Sequence, residues 1–271
     1  MGLITSKEIA KILQIEKFGY LGTFFGWLFL KTLRISSLNK IYEKHKDKKG
    51  VDFLNNILNE FQINFKIAKE DLKNIPEKGS FITISNHPLG GIDGIILLKI
   101  LLELRPDFKL LANFLLQRVK PLKPYIFPVN PYSKRKFLQS SFAGIKNALY
   151  HLKDEKPLGI FPAGQVATKK EGNLIVDEFW KKGSIRIIQK AKVPVIPIYF
   201  ESKNSDFFYF LSKISPSLIT SKLPSEFFTQ KNRKIEVRIG KPITVNEQDN
   251  YKNYQELINF LRKKTFENAT L

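Results

Sequence analysis

Residues 80–103 read SFITISNHPLGGIDGIILLKILLE, and this stretch decides the fold. Residues 80–84 are short and rich in β-branched side chains, which predicts a strand. Residues 91–103 are longer and almost entirely apolar, which predicts a buried helix. A glycine-rich turn between the two carries His87 and leads to Asp93. A strand followed at once by a helix is the repeating unit of α/β proteins with parallel sheets.

The remainder of the chain after about residue 62 continues this alternation. Patterning predicts strands at residues 63–67, 108–112, 125–129, 158–161, 195–200 and 234–239, and helices at residues 134–152, 179–192 and 251–266. Residues 207–219 are aromatic and are predicted to be irregular. We therefore expect an α/β fold with a mostly parallel sheet flanked by helices. In such folds the active site lies on the loops at the strand ends.

The first part of the chain lacks the alternation of strand and helix patterns and is predicted to be helical. We expect residues 1–61 to form a helical region that associates with membranes, and residues 62–271 to form the main domain. Residues 18–30, FGYLGTFFGWLFL, are followed closely by Lys31 and Arg34. This segment is too short to span a bilayer comfortably and suits a helix lying in the membrane interface. A buried core helix is the alternative. Charged residues 43–49 are predicted to be a solvated connection.

The charge of the chain indicates anionic partners. Lysine and arginine total 45 against 25 acidic residues, a formal net charge of +20. Such a field favours a nucleic acid, an anionic membrane or an acidic carrier protein. Nucleic acid is not expected, because the basic residues form no stripe interleaved with aromatic side chains. A lysine-rich surface without a specific partner is the alternative.

Composition also limits the chemistry. The chain has no cysteine and only three histidines, which excludes a cysteine nucleophile and argues against a metal site. His87 is the natural general base near neutral pH, and Asp93 is placed to orient its ring and stabilise the imidazolium. The alternative is that Asp93 only favours the helix N-terminus, with His87 a structural loop residue.

Three blocks of the sequence resemble the motifs of the glycerolipid acyltransferases, which include the bacterial lysophosphatidate acyltransferases. Residues 86–94, NHPLGGIDG, are similar to the family's Asn-His…Asp motif. Residues 159–166, GIFPAGQV, are similar to its Phe-Pro-Glu-Gly-Thr motif, and residues 193–199, VPVIPIY, to its final Val-Pro strand. The form of the first block, with residues 204–205 and 238–243, is most similar to the bacterial hemolysin-like subgroup. Some members of that subgroup acylate lyso-amino-acid lipids.

The resemblance implies a glycerol-3-phosphate acyltransferase-like fold and a reaction. His87 and Asp93 would be catalytic, and a fatty acyl group would pass from acyl-CoA or acyl-carrier protein to the hydroxyl of a lyso-lipid. No metal or cofactor is expected beyond this co-substrate. Backbone amides near Gly164 or in the Gly90–Gly91 turn are candidates for binding the oxyanion. The candidate substrate-binding residues are Asn86, Gly90, Gly91, Asn130, Lys134, Arg135, Pro162, Ala163, Gly164 and Gln165.

Lys134 and Arg135 are candidates for a different reason. They open a predicted helix, where a basic cluster is locally unfavourable, so they indicate a site for an anionic headgroup, coenzyme or carrier. A solvated surface is the alternative. The apolar segment 18–30 with its basic flanks and the net charge suggest a protein bound peripherally or monotopically to the cytoplasmic face of the inner membrane.

The sequence departs from the family pattern in ways that bear on the acceptor. Five residues separate His87 from Asp93 where the family usually has four, and the Gly-Gly turn can absorb the extra one. Ala163 stands at the family's glutamate, no arginine follows closely, and Asn130 replaces the arginine of the Phe-Ile-x-Arg element. In the family, those glutamate and arginine positions are linked to holding glycerol phosphate. We therefore expect a lyso-aminolipid acceptor. A lysophosphatidate acyltransferase and an inactive lipid-binding homologue are the alternatives.

Overall fold

The computed structural model describes residues 16–32, 34–130, 138–169, 175–214 and 216–270. The strands are β1 (Asn64–Ile67), β2 (Ile82–Ser85), β3 (Lys109–Asn113), β4 (Ile126–Val129), β5 (Leu158–Ile160), β6 (Thr168–Lys169), β7 (Ile175–Val176), β8 (Val195–Glu201) and β9 (Lys234–Ile239). The α-helices are α1 (Gly19–Thr32), α2 (Ile35–His45), α3 (Gly50–Glu60), α4 (Lys69–Leu72), α5 (Gly91–Leu104), α6 (Leu138–Lys153), α7 (Lys182–Ala191), α8 (Asp206–Ile214), α9 (Pro216–Thr229), α10 (Val245–Asp249) and α11 (Tyr254–Phe266). Short 3₁₀ segments lie at Glu16–Phe18, Phe114–Arg118, Lys120–Tyr125 and Glu267–Thr270.

Seven of the strands form one sheet in the order β1-β9-β8-β2-β5-β3-β4, and β6 and β7 form a separate two-stranded ribbon. Within the large sheet every neighbouring pair is parallel except β8 and β9. The prediction of an α/β fold with a mostly parallel sheet flanked by helices is therefore confirmed. Strand β2 lies in the interior of the sheet between β5 and β8, and each of its residues is buried.

Hydrophobic packing on the two faces of the sheet explains why these segments become strands. In β8, Ile196, Ile198 and Phe200 pack in a core cluster with residues of α3 and α5. Val195 packs in a second core cluster with residues of α6, α7 and α11. Successive side chains of a strand point to opposite faces, so a central strand with both faces covered is mostly apolar. This requirement makes β8 recognisable as a largely apolar run, whereas β2 alternates Ile82 and Ile84 with the buried hydroxyl side chains of Thr83 and Ser85.

All seven predicted strands of the main sheet are present, but two local predictions were wrong. The aromatic residues 207–219 do not form an irregular segment, because they contribute to the helical hairpin of α8 and α9. Charged residues 43–49 are not a simple solvated connection, because α2 continues to His45. His45 is buried, and its Nε2 lies 3.0 Å from Oε2 of Glu60 at the end of α3.

The N-terminal aromatic segment forms helix α1, as the sequence predicts, and its described side chains are exposed. Tyr20 is 96% exposed, and Phe24, Phe25 and Trp27 are each about half exposed, so the core-helix alternative is wrong. Within the described ranges, no helix is both long enough and apolar enough to cross a bilayer. The division at residue 61 stays a prediction.

Candidate active site

The loop that carries His87 leaves the sheet at the edge where parallel strands converge. Strand β2 is paired in parallel with β5 and with β8, in the register Ile84 to Ile160 and Ser85 to Ile198. All three strands therefore end at the same edge, where α/β proteins bind their ligands. His87 follows β2 by two residues and lies at that edge.

The side chains of His87 and Asp93 are in contact. Nδ1 of His87 lies 3.0 Å from Oδ2 of Asp93, which is fully buried in the first turn of α5. The same oxygen accepts hydrogen bonds from the backbone N–H groups of Leu89, at 2.8 Å, and Gly90, at 3.1 Å. Asp93 thus caps helix α5 and contacts the histidine ring at the same time, so its helix-capping role is compatible with the predicted catalytic role.

The electrostatics of the pair suit a proton acceptor. Burial raises the pKa of Asp93 above its usual value, although His87 and the two backbone donors partly offset this. A carboxylate at Nδ1 fixes the tautomer with the proton on Nδ1 and leaves Nε2 as the nitrogen that can accept a proton. The His87 side chain is 17% exposed, and its ring stacks on Phe161 with the centroids 4.1 Å apart and the planes at 25°. The ring is therefore fixed on one face and still reachable.

Gly90 allows the turn to bring Asp93 to the histidine ring. Its backbone has φ 76° and ψ −121°, a combination that side-chain-bearing residues avoid. A Cβ at this position would lie 2.9 Å from Leu223 Cδ2 and 3.1 Å from Val166 Cγ2. The extra residue between His87 and Asp93 is thus accommodated by a turn that only glycine fits.

Asn86 and Asn204 hold the loop against the neighbouring strand. The Asn86 side chain donates from Nδ2 to the carbonyl of Phe200, at 2.9 Å, and accepts from the N–H of Phe200 at Oδ1, at 2.7 Å. Asn204 Nδ2 donates to the carbonyl of Pro88 at 2.9 Å. The amide of Asn86, a candidate substrate ligand, is therefore already used to join the loop to β8.

The second motif block follows β5 and approaches the first through Phe161. Pro162 and Ala163 are buried, with Ala163 in the core between the sheet and α7, whereas Gln165 is exposed. The N–H of Gly164 donates to the carbonyl of Phe161 at 3.0 Å, just as the N–H of Gly90 donates to Asp93. Both amides therefore already have acceptors, and an oxyanion role for amides near Gly164 or in the Gly90–Gly91 turn stays a prediction.

The other candidates are not brought to His87 by any described contact. Gly91 is exposed at the start of α5, and a Cβ added at this position would lie 3.1 Å from Phe227 Cζ. Asn130 follows β4, and its N–H donates to Ser141 Oγ at 2.9 Å. Lys134 and Arg135 lie outside the described residues. Among the described residues, no group of His, Asp and Glu side chains is arranged to hold a metal ion. That the reaction needs no metal or cofactor stays a prediction.

Comparison with known proteins assigns the chain to a family. A family model described as Acyltransferase matches residues 17–270. The chain belongs to this acyltransferase family. A lyso-glycine lipid O-acyltransferase of Bacteroides thetaiotaomicron is 31% identical over 248 residues, covering 89% of this chain and 88% of that protein. A lyso-glycine lipid O-acyltransferase of Phocaeicola vulgatus is 29% identical over 272 residues, covering 96% of this chain and 93% of that protein.

Sequence reasoning missed two residues of this acyltransferase that contact His87. Phe161 was read as part of a motif, but its stacking on the His87 ring could not be inferred from spacing. Asp177 is buried, and its Oδ1 accepts the backbone N–H of His87 at 3.0 Å. No motif singles out Asp177, and 90 residues separate it from His87 along the chain. Only the folding of the β6–β7 ribbon places this carboxylate next to the loop.

Proposed function

We propose that this acyltransferase moves a fatty acyl group from an acyl thioester to the hydroxyl of a lyso-lipid, with a lyso-glycine lipid or similar lyso-aminolipid as the acceptor. The observation that carries the reaction is the 3.0 Å contact between His87 Nδ1 and the buried Asp93. The acceptor class is supported by the two relatives, both of which act on lyso-glycine lipids by name.

The reaction follows from the geometry of the pair. Nε2 of His87 takes the proton of the acceptor hydroxyl, and Asp93 stabilises the imidazolium that forms. The acceptor oxygen then bonds to the thioester carbonyl carbon, giving a tetrahedral oxyanion. As this oxyanion collapses, the carbon–sulfur bond breaks and His87 returns its proton to the leaving thiolate. The chain has no cysteine to form a thioester intermediate of its own, which fits direct transfer.

The second motif block supports an acceptor without a glycerol phosphate group. Ala163, which occupies the family's glutamate position, is 0% exposed and packs in the core. A small apolar side chain that faces the core provides no ligand for a phosphate headgroup. Replacing an arginine by asparagine or lysine also removes a planar, bidentate phosphate clamp. These differences favour an aminolipid headgroup over the phosphate of lysophosphatidate.

Membrane association and an anionic acyl donor are part of the proposal. Helix α1 exposes Tyr20, Phe24 and Trp27, and Lys31 Nζ lies 5.1 Å from the Trp27 ring centroid. Exposed aromatic residues with basic neighbours suit the interface of an anionic bilayer. The net charge of +20 also suits acyl-CoA or an acidic acyl-carrier protein. We place the protein at the cytoplasmic face of the inner membrane, bound peripherally or monotopically.

A competition between acceptors tests the proposal. Purified protein is given equal amounts of a lyso-glycine lipid and lysophosphatidate in mixed micelles, in parallel with acyl-CoA and with acyl-carrier protein. We expect the lyso-glycine lipid to be acylated at least about ten times faster, a difference of about 1.4 kcal/mol in transition-state stabilisation. Equal or faster turnover of lysophosphatidate would support the phospholipid alternative and reject the aminolipid acceptor. No turnover with either acceptor and either donor would favour an inactive lipid-binding homologue.

A further inference from the structure

Asp177 is a second buried carboxylate at the catalytic loop. It is 4% exposed and follows the β6–β7 ribbon. Its Oδ1 accepts the backbone N–H of His87 at 3.0 Å, and its Oδ2 accepts the indole N–H of Trp180 at 3.4 Å. Each carboxylate oxygen therefore faces a nitrogen donor, and these donors offset part of the cost of burying the charge.

The backbone of His87 is held on both sides by the same part of the chain. Its N–H donates to Asp177, and its carbonyl accepts the N–H of Ala167 at 2.9 Å. The ring is held separately by Asp93 and Phe161. Three independent anchors, at the N–H, the carbonyl and the ring, thus fix the direction in which Nε2 points.

Several charged or polar groups lie near Asp177. Burial, with a smaller contribution from Asp93, raises the pKa of Asp177 above its usual value, although the His87 N–H, the charge of His87 and the Trp180 N–H partly offset this. Arg262 Nη2, from α11, donates to the backbone carbonyl of Asp177 at 3.4 Å. A cavity of about 330 Å³ beside it is lined by further ionisable side chains, which are Tyr199, Glu201 and Lys203.

We propose that Asp177 is a positioning residue for His87: its carboxylate anchors the His87 backbone and favours the positively charged form of the His87 ring during proton transfer. This role rests on the proposed function of His87 as general base. Asp93 and Asp177 then act on different parts of the same residue. Asp93 sets the tautomer through the ring, and Asp177 contributes a second negative charge while holding the main chain.

The test is an NMR titration of the His87 ring in wild type and in Asp177→Asn. The amide oxygen of the substituted side chain can still accept the His87 N–H, so the change removes charge with little change in shape. A negative neighbour favours the protonated imidazole, so its loss should move the midpoint of the His87 titration to lower pH, by about half a unit or more. The acidic limb of the pH profile of kcat/KM should shift in the same direction, with kcat lowered about tenfold.

Trp180→Phe is the matched control. It removes the donor to Oδ2 but keeps the carboxylate, and we expect the His87 midpoint to stay within about 0.2 units of wild type. In the Asp177→Asn variant, the new amide N–H would face the indole N–H of Trp180, and this repulsion could unfold the protein. In that case the titration is repeated on the double variant Asp177→Asn/Trp180→Phe, which lacks the indole N–H. An unchanged midpoint in the folded Asp177 variant would overturn the proposal. The titration needs no substrate, so a negative titration result can be distinguished from a negative result in the acyl-transfer assay.

Discussion

Replacing His87 by alanine is expected to lower the rate of acyl transfer by about 100-fold to 10,000-fold, the contribution typical of a general base. The His87 side chain is 17% exposed and lies on a loop at the edge of the sheet, so the fold should be retained. Without Nε2, the acceptor hydroxyl must lose its proton to water while it attacks the thioester. The rate with saturating acceptor and thioester, and the thermal unfolding of both proteins, are the measurements.

His45→Ala serves as the control for this substitution. It also removes a histidine that contacts a carboxylate, Glu60, but at the end of α2 rather than at the edge of the sheet. We expect its rate to equal that of wild type within about twofold, because the substitution lies away from the proposed reacting groups. If the His87 variant kept more than about a hundredth of the wild-type rate, His87 would not be the general base.

Replacing Glu226 by alanine is expected to lower the free energy of unfolding by about 3–5 kcal/mol, the cost of breaking a buried ion pair from one side. Glu226 lies in α9 and is 0% exposed. Its carboxylate accepts from Lys222 Nζ at 2.7 Å, from the Ser205 N–H at 2.8 Å and from Thr229 Oγ1 at 3.0 Å. Truncation would leave the Lys222 ammonium buried without its counter-charge. Chemical denaturation of both proteins at neutral pH measures the difference.

The pH dependence of this effect has a definite sign. Burial raises the pKa of Glu226, but the Lys222 ammonium and the Ser205 donors outweigh it, so the net pKa lies below the usual value of 4.5. A carboxyl whose pKa is depressed on folding stabilises the protein above its unfolded pKa. The difference between wild type and Glu226→Ala should therefore be full at neutral pH and should shrink as the pH falls through the folded pKa.

Glu103→Ala is the matched control for Glu226. It breaks another lysine–glutamate pair four residues apart, Lys99 to Glu103 at 2.6 Å, but Glu103 is 46% exposed. Exposed pairs of this kind contribute about 0.3–0.5 kcal/mol. Equal losses in the two variants would mean that the Glu226 cluster does not stabilise the α8–α9 hairpin. That hairpin matters for the site because Leu223 and Phe227 of α9 lie against the Gly90–Gly91 turn.

Strand β2, the turn after it and helix α5 could be predicted from sequence because neighbouring residues determine them. Strand β2, the turn and helix α5 are consecutive, and glycine, apolar period and length each indicate the same structure. The contact of His87 with Asp93 joins residues only six apart, so a tight turn sufficed to predict it. The largely apolar run of β8 follows from burial on both faces of the sheet.

The α8–α9 hairpin could not be predicted because tertiary contacts stabilise it. Four consecutive aromatic side chains at residues 207–210 obscure the helical spacing of α8, and α9 contains Pro224. The hairpin is held instead by the buried Glu226 cluster and by Phe227 and Phe228, whose ring centroids each lie 5.1 Å from that of Phe61. The pattern of residues in a short stretch of sequence carries no information about contacts with partners so far along the chain.

Asp177 and the β6–β7 ribbon were missed for a related reason. Strands of two residues carry too little periodicity to be recognised. A single aspartate outside any motif has no pattern that separates it from a surface acid. Its importance depends on burial and on a hydrogen bond to His87, both of which appear only when residues 90 apart are folded together.

Lipid extracts compared by mass spectrometry test the proposed reaction and its base together. Cells that contain a lyso-glycine lipid are compared when they express wild type, His87→Ala or neither protein. We expect wild type to convert the lyso-glycine lipid to its O-acylated form and the His87 variant to leave it unconverted at equal protein level. An unchanged lyso-glycine lipid with wild type, or equal conversion by the His87 variant, would contradict this proposal.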